Sequence, residues 1–553
     1  MMKTRISIVI FFWSVILYCI NLQYNSYNDF NIMLFWLSII ILFGVVIYQI
    51  LSLKKNPFIL FEIFIIFFLL HLVYQLGYFG LRGSDTYHDF NFLKTILNNH
   101  HFILGTDMMS GWPLLHIFSS VISIITKIEP LFIAKFIPSF ISSIIVIPLY
   151  LLAYSIYKNK KIALFSCLVF GTVPQFVSFD ALLIRETFAL FFLILFFYIF
   201  YVLEQRKDYR LKFLLIILIP VIILSHHFTS FMLIIFLTIY VILSKLIPCI
   251  INWRNGHQKF TKIDISNFYL LILVGVLFYW IYITTFLFKD FFSIYYELAG
   301  IKEFASYGVR IDLGTPIVTL RGNIIYYGFF ILNGIICSIL MIKIFFKRNE
   351  HILEETTFII FLYFCLFLGF LSLFFIGSLI YPDRLLPFGL MFGLIPLIAF
   401  LFSLKKTAYK KVFLIIVISF IIFNIYNINP TYYTGKASLE GNIATEKEYA
   451  IAETINIPNM YYGYIGASNA IHDVQGINFI NMTSKNPITT LDFFNTSQFA
   501  IINEGLYLRY LENTKFKSPT TYERISTVLS YKNSYDINKI SDLGDIHILG
   551  WKK

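Results

Sequence analysis

Residues 187–204 read TFALFFLILFFYIFYVLE, a stretch whose only charged residue is its last, Glu204. A helix of about 20 apolar residues crosses the hydrocarbon core of a bilayer, which is about 30 Å thick. Similar runs recur along the 553-residue chain, which is 58% hydrophobic and 13% charged. Because soluble domains carry about 25% charged residues, this pattern predicts an α-helical polytopic membrane protein.

The apolar runs predict about thirteen transmembrane helices. The N-terminal run begins after Met1–Arg5 in the charge order of a signal peptide, but no small-residue cleavage site follows it, so we interpret it as a retained first span. The predicted spans are 6–22, 31–53, 57–79, 131–157, 162–178, 187–204, 212–225, 228–249, 269–288, 323–346, 357–378, 386–404 and 412–428.

The basic residues indicate the orientation. Of the 43 Lys and Arg residues, 22 lie in alternate loops, as the positive-inside rule requires of cytoplasmic loops. This distribution accounts for the net charge of +12 without a nucleic-acid partner. We therefore predict a multi-pass protein of the cell membrane, in contact with membrane lipids, with a cytoplasmic N-terminus and an extracytoplasmic C-terminus.

Changes in composition divide the chain into four parts. Residues 1–79 hold the first three spans, and 80–130 form a large outer loop with an acidic motif and a juxtamembrane helix at Trp112–Ile128. Residues 131–428 form the transmembrane core, with a second outer loop at 289–322 that is long enough for a lid. Residues 429–553 predict a soluble α/β domain, with a helix at Glu446–Thr454 and strands at Tyr461–Ile465, Ile477–Met482, Phe499–Ile502 and Ile546–Trp551.

The clearest chemical motif is RGSDTYHDF at 82–90. If a helix begins at Ser84, a good N-cap, then Asp85, His88 and Asp89 share one face at i, i+3 and i+4 spacing. Such a face suits a general base or a hard divalent cation. The alternative is a solvated polar loop in which an Asp caps the helix.

Further candidates occur at the predicted outer ends of spans. Arg185 with Glu186 and, separately, Arg384 are placed where a planar guanidinium would bind phosphate oxygens in pairs. The alternative is that each Arg only snorkels to the interface. The adjacent His226 and His227 diverge by about 100° on a helix. We expect one to face a pocket and the other to be a structural partner.

Several common motifs are absent from the sequence. It has no P-loop, Rossmann fingerprint, H-E-x-x-H or suitably placed G-x-S-x-G. All five cysteines fall inside apolar runs, so neither a disulfide framework nor a Cys-based zinc site is expected outside the membrane.

The order and side of these motifs resemble the GT-C superfamily of membrane glycosyltransferases. The resemblance covers about residues 80–430 and is one of order, since each motif is short. It departs in that the acidic motif follows the third span rather than the first, and the W-W-D-Y-G motif of the oligosaccharyltransferase branch is missing. The motifs are GSDTYH at 83–88, WPLLH at 112–116, a span ending at Tyr154 before the basic turn Lys158–Lys161, Val173-Pro174, Arg185-Glu186 and RLLP at 384–387.

The resemblance implies roles for the candidate residues. Asp85 corresponds by position to the catalytic base or metal ligand of that superfamily, with Asp89 as second choice and His88 beside them. Arg384 corresponds by position to the contact with the donor phosphate, and we expect Arg185 to assist it. His226, His227, Glu186 and Tyr87 are expected around the substrate pocket. The only cofactor expected is a divalent cation, Mg²⁺ or Mn²⁺, with Asp85 as its ligand.

The function implied is transfer of a sugar from a polyprenyl-phosphate-linked donor to a hydroxyl of a glycan, lipid or protein acceptor, with inversion, at the outer face. One rival is an O-antigen-type polymerase or ligase of lipid-linked glycans, which relies on Arg and His. Another is a transporter of lipid-linked glycans, although the repeats and broken midplane helices of transporters are not evident in the sequence.

Overall fold

The computed structural model is predominantly helical over the residues it describes. These are 2–23, 32–52, 57–76, 81, 84–102, 104–105, 110–255, 266–286, 334, 338, 352–375, 382–404, 406–428, 461–462, 499–503, 537–542 and 546–551. The helices are α1 Met2–Gln23, α2 Ile32–Ser52, α3 Ile59–Leu76, α4 Ser84–Asn99, α5 Leu114–Thr126, α6 Pro130–Ile144, α7 Val146–Tyr157, α8 Lys160–Phe170, α9 Pro174–Asp180, α10 Arg185–Arg206, α11 Tyr209–Ser225, α12 His227–Asn255, α13 Ser266–Tyr282, α14 Ile352–Phe375, α15 Pro382–Ser403 and α16 Thr407–Ile428.

The helices support a membrane protein by their length and composition. Within the described parts of the chain, five are long and apolar enough to cross a membrane: Met33–Ser52, Pro130–Tyr157, Arg185–Arg206, His227–Ile247 and Ile352–Gly369. Shorter apolar helices lie at Arg5–Ile20, Ile59–Val73, Leu114–Thr126, Phe268–Tyr282 and Pro387–Ser403. The number thirteen stays a prediction, and the tenth predicted span, 323–346, lies outside the described residues except for Gly334 and Ser338.

Two predicted spans are interrupted where proline or glycine breaks the backbone pattern. The span predicted at 162–178 is two helices, because α8 ends at Phe170 and α9 begins with Pro174 at its first turn. Proline lacks an amide hydrogen and cannot continue the hydrogen-bond ladder. Gly171 fits this break because a Cβ there would overlap the ring of Phe67. A milder turn at Ile145 separates α6 from α7, three residues before Pro148.

Helix α10 lies at the centre of the helical bundle. It contacts α5, α6, α7, α9, α11 and α12, and its residues from Glu186 to Leu203 include many fully buried apolar side chains. Its first residue, Arg185, therefore starts inside the packed end of the bundle. This placement brings a charged side chain to the ends of several neighbouring helices.

The helices α14 and α15 pack closely through two glycines of α15. A Cβ on Gly389 would lie 2.9 Å from Cys365 Cβ, and one on Gly393 would lie 2.6 Å from Leu362 Cδ2. The sequence here is GLMFG, a G-x-x-x-G pattern that lets two membrane helices approach each other. Arg384 lies in the first turn of α15, before these two glycines.

Short strands occur in the C-terminal part. They are β1 Tyr461–Tyr462, β2 Phe499–Asn503, β3 Ile537–Asp542 and β4 Ile546–Trp551, in the order β1-β2-β4-β3. β1 pairs parallel with β2, and β4 pairs antiparallel with β2 and β3. Strand β3 was not predicted, whereas Glu446–Thr454 and Ile477–Met482 lie outside the described residues, so an α/β domain remains a prediction.

Candidate functional site

Several helix ends meet at one end of the bundle. Helices α9 and α11 end there, at Asp180 and Ser225, while α10, α12 and α15 begin there. The predicted orientation places this end outward. Helix α4 begins at Ser84, the residue predicted as its N-cap, and packs against α5 beside it.

Asp89 is the centre of a buried charged cluster on three helices. Its Oδ1 atom accepts a hydrogen bond from His116 Nε2 at 2.8 Å and lies 3.1 Å from Arg185 Nε. The Asp89 and His116 side chains are 1% and 0% exposed, and that of Arg185 is 12% exposed. Burial of a carboxylate is costly unless it is paired and hydrogen-bonded, and here both conditions are met.

A second group of charges lies beside the first. Arg384 interacts electrostatically with Glu186, and its guanidinium carbon lies 4.8 Å from the ring centre of Phe179. Asp180, at the end of α9, is buried next to Glu186. Burial raises the pKa of Asp180 well above its usual range, and the charge of Glu186 raises this pKa further.

The two histidines connect both groups. His226 Nδ1 is hydrogen-bonded to Thr229 Oγ1 at 3.0 Å, and the rings of His226 and His227 lie 4.7 Å apart. The ring of His227 lies tilted against that of Trp112, which is fully buried, with the ring centres 4.6 Å apart. Burial lowers the pKa of His226 well below its usual value, and the nearby His227, Arg185 and Arg384 lower this pKa further.

Buried polar atoms without a hydrogen-bond partner are concentrated in this region. Buried polar groups are normally satisfied, so each exception needs a partner such as water or a ligand, or a functional reason. Several atoms around the described cluster are of this kind: Thr86 Oγ1, Trp112 Nε1, His116 Nδ1, Asp180 Oδ1, Glu186 Oε2 and His227 Nδ1. The site therefore has hydrogen-bonding capacity that its own described side chains do not use.

The structure brings some of the predicted site residues together, and His88 is not one of them. Arg185, Glu186, His226, His227 and Arg384 gather around the same helix ends, joined to Asp89 through Arg185. His88 is exposed whereas Asp89 is buried, so these neighbours do not share one environment. The backbones of Asp85 and Tyr87 lie in the first turns of α4, but their side chains, like the loop 289–322, lie outside what the structure describes.

No group of three or more His, Cys, Asp or Glu side chains suited to a metal ion occurs among the residues whose positions are described. Asp89 and His116 are bonded to each other, and Asp89 also faces Arg185. The Mg²⁺ or Mn²⁺ expected at Asp85 therefore stays a prediction.

Three residues of the site carried no assigned role in the sequence. His116 belongs to WPLLH at 112–116, Trp112 opens the same motif, and Asp180 lies just before Arg185. A signal existed for His116 and Asp180, because a His or an Asp next to apolar runs is costly and requires a partner. The partner itself is not local, since Asp89 and His116 are 27 residues apart.

The helices and this buried charged site together define a helical membrane protein with a polar centre at one end of its bundle. No protein-family model and no curated protein matches the sequence. In comparisons with solved structures the chain is similar to an oligosaccharyltransferase of Archaeoglobus fulgidus tethered to an acceptor peptide, with a TM-score of 0.49 and 13% identity over 90% of this chain and 74% of the other.

The chain is also similar to ArnT of Cupriavidus metallidurans bound to undecaprenyl phosphate, with a TM-score of 0.41 and 9% identity over 89% of this chain and 97% of the other. Both similarities are distant, and the chemistry of this chain follows from the residues of its own site.

Proposed function

We propose that this protein is a membrane glycosyltransferase that moves a sugar from a polyprenyl-phosphate-linked donor to an acceptor hydroxyl at the outer face of the membrane. The single observation that carries the proposal is the buried cluster in which Asp89, His116 and Arg185 meet beside Arg384 and Glu186. Secondary transporters typically place their substrate site near the bilayer midplane, whereas this cluster lies at one end of the bundle.

The two arginines supply the stabilisation that a lipid phosphate leaving group requires. As the bond between the anomeric carbon and the phosphate oxygen breaks, negative charge develops on that oxygen. Cations that are already in place in a water-poor site lower the barrier, because they need no reorganisation during the reaction. Arg185 is held in place by Asp89, and Arg384 packs over Phe179.

In this proposal Asp85 is the base. It removes the proton of the acceptor hydroxyl, the hydroxyl oxygen attacks the anomeric carbon from the face opposite the phosphate, and the polyprenyl phosphate departs. Asp89, the second choice for this role, is better suited to hold Arg185, because its Oδ1 already contacts two donors. A divalent cation at Asp85 is an additional part of the proposal, and His88 and Tyr87 flank the base.

Asparagine at position 85 tests the proposal directly. The purified protein is reconstituted with a radiolabelled polyprenyl-phosphate sugar, and transfer to an acceptor is followed by chromatography. We expect Asp85→Asn to lower kcat roughly 100-fold or more, because the amide cannot accept the proton. Glu129→Gln is the matched control, since Glu129 is exposed and makes no capping hydrogen bond at the start of α6.

The same assay separates the rival functions. Full transfer by folded Asp85→Asn would contradict the assignment of the base. Use of only diphosphate-linked oligosaccharides would favour a polymerase or ligase. Movement of the intact donor across vesicles without covalent transfer would favour a transporter.

A further inference from the structure

His116 belongs to the buried cluster but takes no direct part in the proposed reaction, yet it is one of the most completely buried polar residues of the site. Its side chain is 0% exposed, and its ring meets Phe92 edge to face with centres 4.8 Å apart. This packing fixes the plane of the imidazole ring. Its Nε2 atom is thereby aimed at Asp89 Oδ1, 2.8 Å away.

The two ring nitrogens of His116 have different surroundings. Nε2 lies within hydrogen-bond distance of Asp89 Oδ1, and Nδ1 has no hydrogen-bond partner among the described residues. His116 therefore contacts the rest of the charged cluster through Asp89, whose Oδ1 also faces Arg185.

The position of Arg185 depends on this carboxylate. Asp89 Oδ1 lies 3.1 Å from Nε, the guanidinium nitrogen nearest to the main chain. This contact is an ion pair by distance rather than a directed hydrogen bond, and it holds the planar guanidinium beside the Asp89 carboxylate. The two terminal nitrogens of the guanidinium can donate two parallel hydrogen bonds to one phosphate.

We propose that His116 is a positioning residue for the phosphate of the lipid-linked donor, acting through Asp89 on Arg185. The proposal rests on the proposed function, in which Arg185 contacts that phosphate. His116 on α5 and Asp89 on α4 together fix a guanidinium on a third helix, α10. The juxtamembrane helix is thus part of the donor site, although His116 itself does not touch the donor.

If the role of His116 were purely structural, its hydrogen bond would only join α4 to α5. A second contact between these helices provides a matched control for that possibility. Ser120, one turn after His116, donates to the carbonyl oxygen of Leu93 at 3.5 Å. This second contact joins the same two helices without involving Asp89. Ser120→Ala therefore removes a bond between α4 and α5 and leaves the orientation of Arg185 unchanged.

The experiment measures binding of a synthetic polyprenyl monophosphate by calorimetry in detergent micelles, with thermal melting of every variant. We expect His116→Leu to raise the Kd roughly tenfold, since it removes the hydrogen bond that holds the Asp89 carboxylate beside the guanidinium of Arg185. His116→Gln should bind within about threefold of the unsubstituted protein, because its amide reaches the place of Nε2. Ser120→Ala should leave the Kd unchanged.

The comparison of His116→Gln with His116→Asn keeps the test valid if the leucine variant fails to fold. The shorter Asn amide cannot reach Asp89, so it should bind more weakly than Gln at similar melting temperatures. Equal binding by both variants, or an unchanged Kd for folded His116→Leu, would overturn the positioning role while leaving the proposed function standing. If the unsubstituted protein itself does not bind the monophosphate, the donor class is wrong, and the positioning role falls with it.

Discussion

The charge state of Asp180 depends on its burial in the fold. Its carboxyl is buried beside Glu186, and its side chain interacts with Thr187. A raised pKa means that the folded protein keeps a proton that the unfolded chain releases above its ordinary pKa of about 4. Stability linked to Asp180 is thus complete below that pH and declines as pH rises towards the folded-state pKa, by at most about 1.4 kcal/mol per pH unit.

We therefore expect Asp180→Asn to flatten the decline of the melting temperature between pH 4.5 and 8. The amide resembles the neutral acid and does not ionise, so the variant should be at least as stable as the unsubstituted protein at pH 8. Thermal melts in detergent across this range provide the measurement. Parallel pH profiles for the two proteins would show that Asp180 is ionised in the fold.

For individual residues, the sequence predicted which side chains lie at the site better than it predicted which of them contact each other. Arg185, Glu186, His226, His227 and Arg384 were named from their positions at span ends, and the structure gathers them at one end of the bundle. Their roles remain predictions. The pairing of Asp89 with His116 was not foreseen, because it joins two helices whose mutual packing no local pattern specifies.

The close packing of α14 against α15 depends on two glycines of α15, Gly389 and Gly393. We expect Gly393→Ala to destabilise the protein by about 1–3 kcal/mol, the usual cost of overpacking, because the added methyl group meets Leu362. Gly44→Ala in α2 is the matched control, since a Cβ at Gly44 has no neighbour within 4 Å. The control should melt at the same temperature or slightly higher, because Ala favours helix.

Thermal melting in one detergent compares the two variants under equal conditions. If both alanine variants lose the same stability, the close contact between α14 and α15 is not what requires glycine at position 393. The G-x-x-x-G pattern was present in the sequence, but which helix it faces was not. The identity of Leu362 and Cys365 as its neighbours is a property of the packed bundle.

Apolar length predicted the position of most helices, and local backbone chemistry explains the exceptions. The interruption between α8 and α9 falls at Gly171–Val173, immediately before Pro174. A window average over hydrophobicity cannot detect it, because the residues on both sides are apolar. The sequence Gly-Thr-Val-Pro holds the necessary signal, since proline requires a break in the hydrogen-bond ladder.

For the whole molecule, orientation is the prediction with the widest consequences. The positive-inside distribution places the segment after α12 in the cytoplasm and the C-terminal tail outside. We expect a membrane-impermeant maleimide to label Ser518→Cys in intact cells, and Asn255→Cys only after permeabilisation. Both substitutions are made in a background lacking the native cysteines, and that background without either substitution is the control.

Labelling of both positions in intact cells, or of Asn255→Cys alone, would contradict the odd number of spans or the orientation. The count depends on the segment 323–346, where hydropathy alone supports a span. Charge distribution and apolar length are properties that the sequence displays directly. The meeting of helix ends around Arg185 is a property of the assembled bundle and had to come from the structure.

Two hydrogen bonds connect α4 and α5, one between Asp89 and His116 and one between Leu93 and Ser120. In each pair the two residues are 27 positions apart in the sequence. The two helices therefore point the same way, and the chain between them must return past about twelve residues of α4, or about 18 Å. About six extended residues cover that distance, and residues 100–113 provide more. Insertions and deletions upstream of the buried Trp112 should cost little, whereas one residue inserted between Asp89 and Leu93 would turn the rest of α4 by about 100° and separate the pairs.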